Sequence, residues 1–247
     1  MTETAQRGAL VTGAAGGIGQ ALCASLRAAG YFVIATDRLA AEVDCDRFLV
    51  CDIAGMARDD GAQARFAADV GALLGGIPLG VIVNNAAVQI LGRFTEITGD
   101  DFQTSLDVNL IAPLRVTQAL LPLLVVGGCI VNIGSVHAQA TKPGFVSYAT
   151  TKAAIGGLTR ALAVDLGPRA RVLCIAPAAT STPMLMAGFE HSPGAFAELE
   201  AAHPLARIAT PTEVADFVVA LCGVSQFVSG ATFLVDGGIL SRLHDPL

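Results

Sequence analysis

Tryptophan is absent from this chain of 247 residues, tyrosine occurs twice, and Phe, Tyr and Trp together make up 5%. Large rings therefore cannot carry the core, and Ala, Val, Leu and Ile must build it, which suits a parallel sheet covered on both faces. Charge is scarce as well: charged residues are 15% against 53% hydrophobic, the net charge is −6 and no Lys/Arg block occurs. That balance argues against nucleic acid as a partner. The six cysteines (Cys23, Cys45, Cys51, Cys129, Cys174, Cys222) include no C-x-x-C pair, so no metal site is expected from them. MTETAQRGAL at the start lacks a secretory pattern, and reduced thiols in a cytoplasmic protein is the expectation. The uncharged run 119–136 is long enough to raise a membrane span, but Pro122, Gly127-Gly128 and Asn132 interrupt it. A helix end, a turn and a buried strand account for it better.

What is present is alternation. Short apolar runs at 8–11, 31–36, 48–51, 80–83, 129–133, 171–175 and 232–235 read as buried strands. Helical stretches fall between most of them: one running to Ala29, then 57–74, 101–121, 145–165 and 212–222. No break in composition divides the chain. The pattern predicts an α/β fold, a single doubly wound parallel sheet of about seven strands, with 1–247 as one dinucleotide-binding domain. Between the second and third strands, 38–47 leaves room for a short helix only.

The first strand runs into Thr12-Gly13-Ala14-Ala15-Gly16-Gly17-Ile18-Gly19 and then a helix. Gly13, Gly17 and Gly19 let the backbone turn tightly and approach a pyrophosphate, which lies at the positive end of the helix. Asp37 closes the second strand, where a carboxylate binds adenosine ribose hydroxyls and repels a 2′-phosphate. NAD is therefore expected as cofactor ahead of NADP, with Arg38 next door able to soften the preference.

Ser135 follows the strand I-V-N-I-G and should lie at a strand's carboxyl end, where open α/β sheets bind ligands. Tyr148 and Lys152 are four apart on a helix and share a face. An ammonium beside the phenol, with the charge of an oxidised nicotinamide, is expected to lower the pKa of Tyr148. The phenol then exchanges a proton with an alcohol or ketone as hydride moves, and Ser135 holds the substrate oxygen. A Y-x-x-x-K pair taken alone reads equally well as a solvated helix face.

Thr12-Gly13 through Gly19, Asn84-Asn85-Ala86, Asn109, Ser135, Tyr148, Lys152 and Val235-Asp236-Gly237-Gly238 occur in that order. The chain from Gly8 to Gly238 closely resembles the short-chain dehydrogenase/reductase family. The resemblance implies a Rossmann fold and a catalytic tetrad of Asn109, Ser135, Tyr148 and Lys152. In it Tyr148 is the acid/base, Lys152 also meets the nicotinamide ribose, and Asn109 holds a water that connects Lys152 to solvent. It further implies cofactor contacts from Gly13, Gly17, Ile18, Gly19, Asp37, Asp52, Ile53, Asn85, Ala86, Pro177, Thr180 and Thr182, and a homotetramer. Two departures stand out: Ala87 and Ala178 replace family glycines. Each methyl narrows the room beside the nicotinamide and forbids easy positive φ.

For substrate, His137 and Gln89 are similar to the pocket of 3-hydroxybutyrate dehydrogenases in that family. The similarity breaks at Phe145, where those enzymes carry a lysine, and Lys142 reads as a solvated loop charge. Residues 178–205 are expected to form a lid, with Met184, Met186, Phe189 and Phe196 giving it an apolar inner face. Gln89, Ser135, His137, Phe145, Ala178 and Met184 make up the expected pocket. The expected activity is an NAD(H)-preferring interconversion of a secondary alcohol and a ketone, with no membrane or nucleic-acid partner. The rivals are an NADPH-dependent carbonyl or 3-oxoacyl-type reductase, and a dinucleotide-binding sensor without turnover.

Overall fold

The computed structural model describes residues 6–190, 192–224 and 226–243, so the MTETA part of the leader reading and the ends of the 1–247 domain lie outside the described residues. Seven strands form one sheet: β1 (Gly8–Thr12), β2 (Phe32–Asp37), β3 (Arg47–Val50), β4 (Leu79–Asn84), β5 (Leu124–Ile133), β6 (Ala170–Pro177) and β7 (Thr232–Val235). Their order is β3-β2-β1-β4-β5-β6-β7, parallel throughout. The order reverses between β1 and β4, and a doubly wound sheet opens its ligand crevice at that point.

The helices are α1 (Gly17–Ala28), α2 (Asp60–Leu74), α3 (Gly99–Leu106), α4 (Ala112–Leu120), α5 (Val146–Leu166), α6 (Pro183–Ala187), α7 (Pro193–Ala202) and α8 (Pro211–Val224). Two apolar layers form the core. On one face Leu22, Cys23 and Leu26 of α1 meet Val214, Ala215 and Val218 of α8 over Val11, Val83 and Val131. On the other, Phe66 and Val70 of α2 and Val116 and Leu120 of α4 cover Leu10, Ile34, Ile82 and Ile130. Strands buried on both sides have little polar alternation to show, which is why they read as plain apolar runs.

Three elements differ from the sequence expectation. The helix expected over 101–121 is split: α3 and α4 are joined by a π turn, Asp107–Ile111. Pro113 near the start of α4 lacks an N–H, so the regular ladder loses a bond there and one residue is looped out. Second, no helix forms between β2 and β3, where residues 38–46 connect the strands without regular structure. Third, β5 begins at Leu124, five residues early, and turns at Gly127 with φ 76°. The uncharged 119–136 run is thus the end of α4, a turn and β5. Among the described residues no helix is long and apolar enough to cross a membrane.

Candidate functional site

The glycine turn between β1 and α1 is packed too closely for side chains. A Cβ on Gly13, whose φ is +64°, would lie 2.6 Å from the Ala86 Cα, and one on Gly19 would lie 2.1 Å from the Gly13 carbonyl oxygen. Thr12 fixes the turn to the end of β4: its Oγ1 accepts from the N–H groups of Asn85 and Ala86, both at 3.1 Å. The Asn85 amide donates back to the carbonyls of Thr12 and Gly13, both at 2.9 Å. The N-cap of α1 is Gly16, and no side chain caps that end. Its first-turn N–H groups are therefore left for an anion, and with the bare glycine surface they fit a dinucleotide pyrophosphate.

Asp37, the last residue of β2, sits beside that turn. One carboxylate oxygen accepts from Ala15 N–H (3.0 Å) and the other from Arg38 N–H (2.7 Å), which fixes the acid beside the glycine turn. Asp52 caps a short turn by accepting from Ala54 N–H (3.0 Å), and Ile53 next to it is buried. Across the crevice Thr182 and Pro183 close on Gly17, with the Thr182 Cβ 3.0 Å from where a Gly17 Cβ would stand. Thr182 Oγ1 also caps α6 by accepting from Leu185 N–H (3.2 Å), and Thr180 Oγ1 donates to the Ala178 carbonyl (3.2 Å). Pro177 ends β6, paired with Val235. So 178–182 is anchored to β7 and to Ala209, and the rest of the 178–205 segment carries α6 and α7.

The four candidate reacting residues converge where β5 ends. Ser135 lies two residues past β5, its Oγ accepting from His137 N–H at 3.2 Å. Tyr148 occupies the first turn of α5, and Lys152 follows one turn later with Nζ 5.6 Å from the phenol ring centre. Lys152 is 4% exposed, and its ammonium donates to the Ile133 carbonyl at 2.8 Å. Asn109 sits in the π turn. Its amide donates to the Val88 carbonyl (2.9 Å) and to Thr151 Oγ1 (3.0 Å), while its Oδ1 accepts from Val88 N–H (2.8 Å). With both amide protons taken, Asn109 is built as a brace.

Burial pushes the Lys152 pKa down from 10.5 to about 8. The Tyr148 phenol was expected to be lowered by Lys152 together with the charge of a bound oxidised nicotinamide, and the chain by itself behaves differently. Instead burial pushes it up, and the opposing pull comes from a hydrogen bond with Ser135. The physical reason is desolvation: a phenolate loses more by leaving water than the Ser135 hydroxyl returns. His137 is lowered by burial and then by Lys142, and is therefore neutral at physiological pH.

Around the phenol stands an aromatic wall that the sequence did not reveal. His137 stacks on Phe145 (centres 4.4 Å apart, planes within 8°), and both meet Tyr148 edge-on at 5.9 and 6.1 Å. Thr141 Oγ1 lies 3.0 Å from His137 Nδ1 and fixes the imidazole. Lys142, read as a solvated loop charge, remains exposed but places its ammonium 5.0 Å from the Phe145 ring centre. Gln89 is exposed at the rim. Met184, expected on an inner face, is 76% exposed, and Phe189 packs against Phe196 (5.7 Å). Ala87 and Ala178 bring no strain, since among the described residues only Ala206 is a non-glycine with positive φ.

Several contributors were not singled out from sequence. Thr12 lay unremarked inside the glycine motif, and Thr151 beside Lys152. A buried chain also runs from Asn84 Nδ2 to Asn132 Oδ1 (2.9 Å) and from Asn132 Nδ2 to Thr159 Oγ1 (2.9 Å), joining β4, β5 and α5. Among the described residues no group of three His, Cys, Asp or Glu gathers as a metal ion would require.

A doubly wound sheet with an uncapped glycine turn at its switch point, and a Ser, Tyr and Lys beside it, defines an oxidoreductase acting on CH–OH groups. The comparisons agree. A family model described as enoyl-(acyl carrier protein) reductase (adh_short_C2) matches residues 13–240. L-xylulose reductase of Bos taurus is 37% identical over 242 residues, covering 96% of this chain and 98% of that one. Acetoacetyl-CoA reductase of Acinetobacter sp. is 34% identical over 246 residues, covering 95% and 98%. Ligand-free aldohexose dehydrogenase of Thermoplasma acidophilum superposes with a TM-score of 0.89 at 27% identity, covering 98% and 97%. The chain belongs to the short-chain dehydrogenase/reductase family.

Proposed function

We propose that this protein interconverts a secondary alcohol and a ketone with a preference for NAD(H), using Tyr148 as general acid/base. The observation that carries the reading is the convergence of Ser135, Tyr148 and Lys152 at the end of β5, beside the uncapped N-terminus of α1. The dinucleotide, when bound, accepts or supplies the hydride. Gly13, Gly17, Ile18 and Gly19 would hold its pyrophosphate, and Asp37 its adenosine ribose hydroxyls. Asp52 and Ile53 would border the adenine, with Asn85 holding the turn in shape and Ala86, Pro177, Thr180 and Thr182 bordering the nicotinamide side.

The Ser135 hydroxyl holds the substrate oxygen next to the phenol. In reduction, a phenol whose pKa is pushed up by burial remains protonated and donates its proton to the nascent alkoxide. In oxidation, the Lys152 ammonium beside the ring stabilises the phenolate once the proton has moved. Asn109 braces the helix start. Asp37 places a negative charge where a 2′-phosphate would sit, which supports NAD(H) over NADP(H).

The substrate is a small hydroxylated carbonyl compound, with sugars and their polyols first and 3-hydroxy acids second. Support comes from the names of the L-xylulose and aldohexose relatives and from the neutral His137, a polar handle on the aromatic wall beside the phenol. The domain is one dinucleotide-binding unit over 1–247 with 178–205 as its lid. The homotetramer is the one the family suggests, and six free thiols suit a cytoplasmic setting. The test is NADH formation and consumption by absorbance over ketoses, polyols, 3-hydroxy acids and their oxo forms, with NADP(H) in parallel and Tyr148→Phe as control. Turnover with NAD(H) that Tyr148→Phe abolishes is expected. Turnover only with NADP(H) would favour the reductase reading. Tight NADH binding without turnover would favour the sensor.

A further inference from the structure

We propose that Thr151, a residue with no contact to the reacting atoms, positions Tyr148 by tying the Asn109 brace to the first turn of α5. The inference rests on Tyr148 being the acid/base. Thr151 is fully buried, and its Oγ1 lies 3.0 Å from Asn109 Nδ2 and 2.9 Å from the Tyr148 carbonyl oxygen. The chemistry of the partners settles the direction of both bonds. A carbonyl only accepts and an amide nitrogen only donates, so the threonine proton goes to Tyr148 and its lone pair receives Asn109.

Asn109 in turn holds both polar groups of Val88, four residues past the end of β4. One hydroxyl therefore joins three segments: the β4–α3 connection, the π turn and the helix that presents Tyr148 and Lys152. A second link runs parallel to it, from Ser147 Oγ to the Ile90 carbonyl at 3.2 Å. Without the Thr151 hydroxyl, Asn109 keeps its hold on Val88 but no longer reaches α5. The phenol would then be aimed by the packing of His137 and Phe145 and by the single remaining tie of Ser147 to Ile90. Side-chain packing tolerates small rotations that a directed hydrogen bond does not, and small misplacement of a reacting group is costly in rate.

The test uses the full chain with Thr151→Val, which keeps the β-branched shape, and Thr151→Ser, which keeps the hydroxyl. If Thr151→Val does not fold, Thr151→Ala carries the same expectations. In the ligand-free protein, amide exchange of the peptide containing Ala149, whose N–H bonds the Phe145 carbonyl in the first turn of α5, should rise about tenfold in Thr151→Val and hardly change in Thr151→Ser. In turnover, Thr151→Val should lower kcat about ten- to a hundredfold, the range that one or two unmade buried hydrogen bonds give, while KM moves less than about twofold. Thr151→Ser should stay within about threefold of wild type. In an Asn109→Ala background the Thr151→Val loss should shrink to less than about threefold, since the two residues act as one unit.

An unchanged kcat in Thr151→Val, an equal loss in both backgrounds, or a Thr151→Ser variant as poor as Thr151→Val would each overturn the proposal. Tyr148→Phe separates this failure from that of the underlying reading. Full activity in Tyr148→Phe removes the acid/base assignment, whereas an inactive Tyr148→Phe alongside an unimpaired Thr151→Val removes only the role of Thr151.

Discussion

Lys152 should cost this protein stability, and the cost should follow pH in a defined way. In the fold its pKa falls from 10.5 to about 8, a disfavouring of the buried ammonium by about 3 kcal/mol. The unfolded chain keeps the lysine proton up to 10.5, whereas the folded one releases it near 8. Between those values the unfolded state binds more protons, so stability rises with pH across that window, and the cost is fully present below 8. Lys152→Met removes the titration but leaves the Ile133 carbonyl without its donor, at about 1–3 kcal/mol whatever the pH. At pH 7 the variant should therefore be as stable as its parent or up to about 2 kcal/mol more stable. Near pH 10 it should be less stable by roughly the lost hydrogen bond. The change in the difference between the two chains from pH 7 to pH 10 is independent of the carbonyl and should be about 2–3 kcal/mol. Urea unfolding of the ligand-free protein at pH 7, 8, 9 and 10 measures it. Both chains should carry Tyr148→Phe and Cys174→Ser, so that neither the neighbouring phenol nor the thiol that feels the Lys152 charge titrates, and the remaining buried cysteines cancel between them. A difference flat to within about 0.5 kcal/mol over that range would refute the desolvation argument and the reading of Lys152 as a strained ammonium.

Two further outcomes are expected. Asp37→Ser should lower the ratio of kcat/KM with NAD(H) to that with NADP(H) at least about tenfold, because a carboxylate facing a 2′-phosphate costs on the order of kcal/mol; an unchanged ratio in parallel absorbance assays would remove Asp37 from cofactor choice. Gly19→Ala should destabilise by about 1–3 kcal/mol and abolish saturable NADH binding, since its Cβ would stand 2.1 Å from the Gly13 carbonyl oxygen. Gly157→Ala on α5 is the contrast: its Cβ would meet only an arginine tip at 4.0 Å, so stability should rise by about 0.5–1 kcal/mol. Thermal melts and NADH fluorescence decide both.

The sheet was legible because its inner strands are buried on two faces and each turn signal lies between apolar runs, so alternation alone gives β1 to β7 in chain order, the half-exposed edge strands β3 and β7 included. The glycine turn, Asp37, Ser135 and the Tyr148–Lys152 pair were legible because their spacing maps directly onto strand ends and one helix face. The π turn was not, since Pro113 inside an apolar helical pattern does not say whether the helix stops, kinks or slips. The His137–Phe145 stack was not, because the two rings are brought together by the loop between them. The upward shift of Tyr148 in the chain by itself was not legible for a related reason. A neighbouring charge is visible in Y-x-x-x-K, but the depth of burial is a property of the assembled crevice, and here burial is the larger effect.

The same burial gives the site its order. Tyr148 and Lys152 come from α5, Ser135 from the end of β5 and Asn109 from a π turn, and no single element fixes their relative positions. Gly134 sits at the junction. Its N–H donates to the Ile175 carbonyl at 2.6 Å, and the Cys174 sulfur fills the space where its Cβ would be, 2.8 Å away. The carbonyl just before it receives Lys152, and the hydroxyl just after it is Ser135. A shift of this one peptide would move the ammonium's acceptor and the proposed anchor of the substrate oxygen together, while Asn109 and Thr151 hold the first turn of α5 from the other side. Buried polar groups cost stability when their partners are imperfect. Here Lys152 is tied to the Ile133 carbonyl and Asn109 to both backbone groups of Val88, each in a different segment, so groups that cannot be aligned by one helix or strand are aligned by bonds between them.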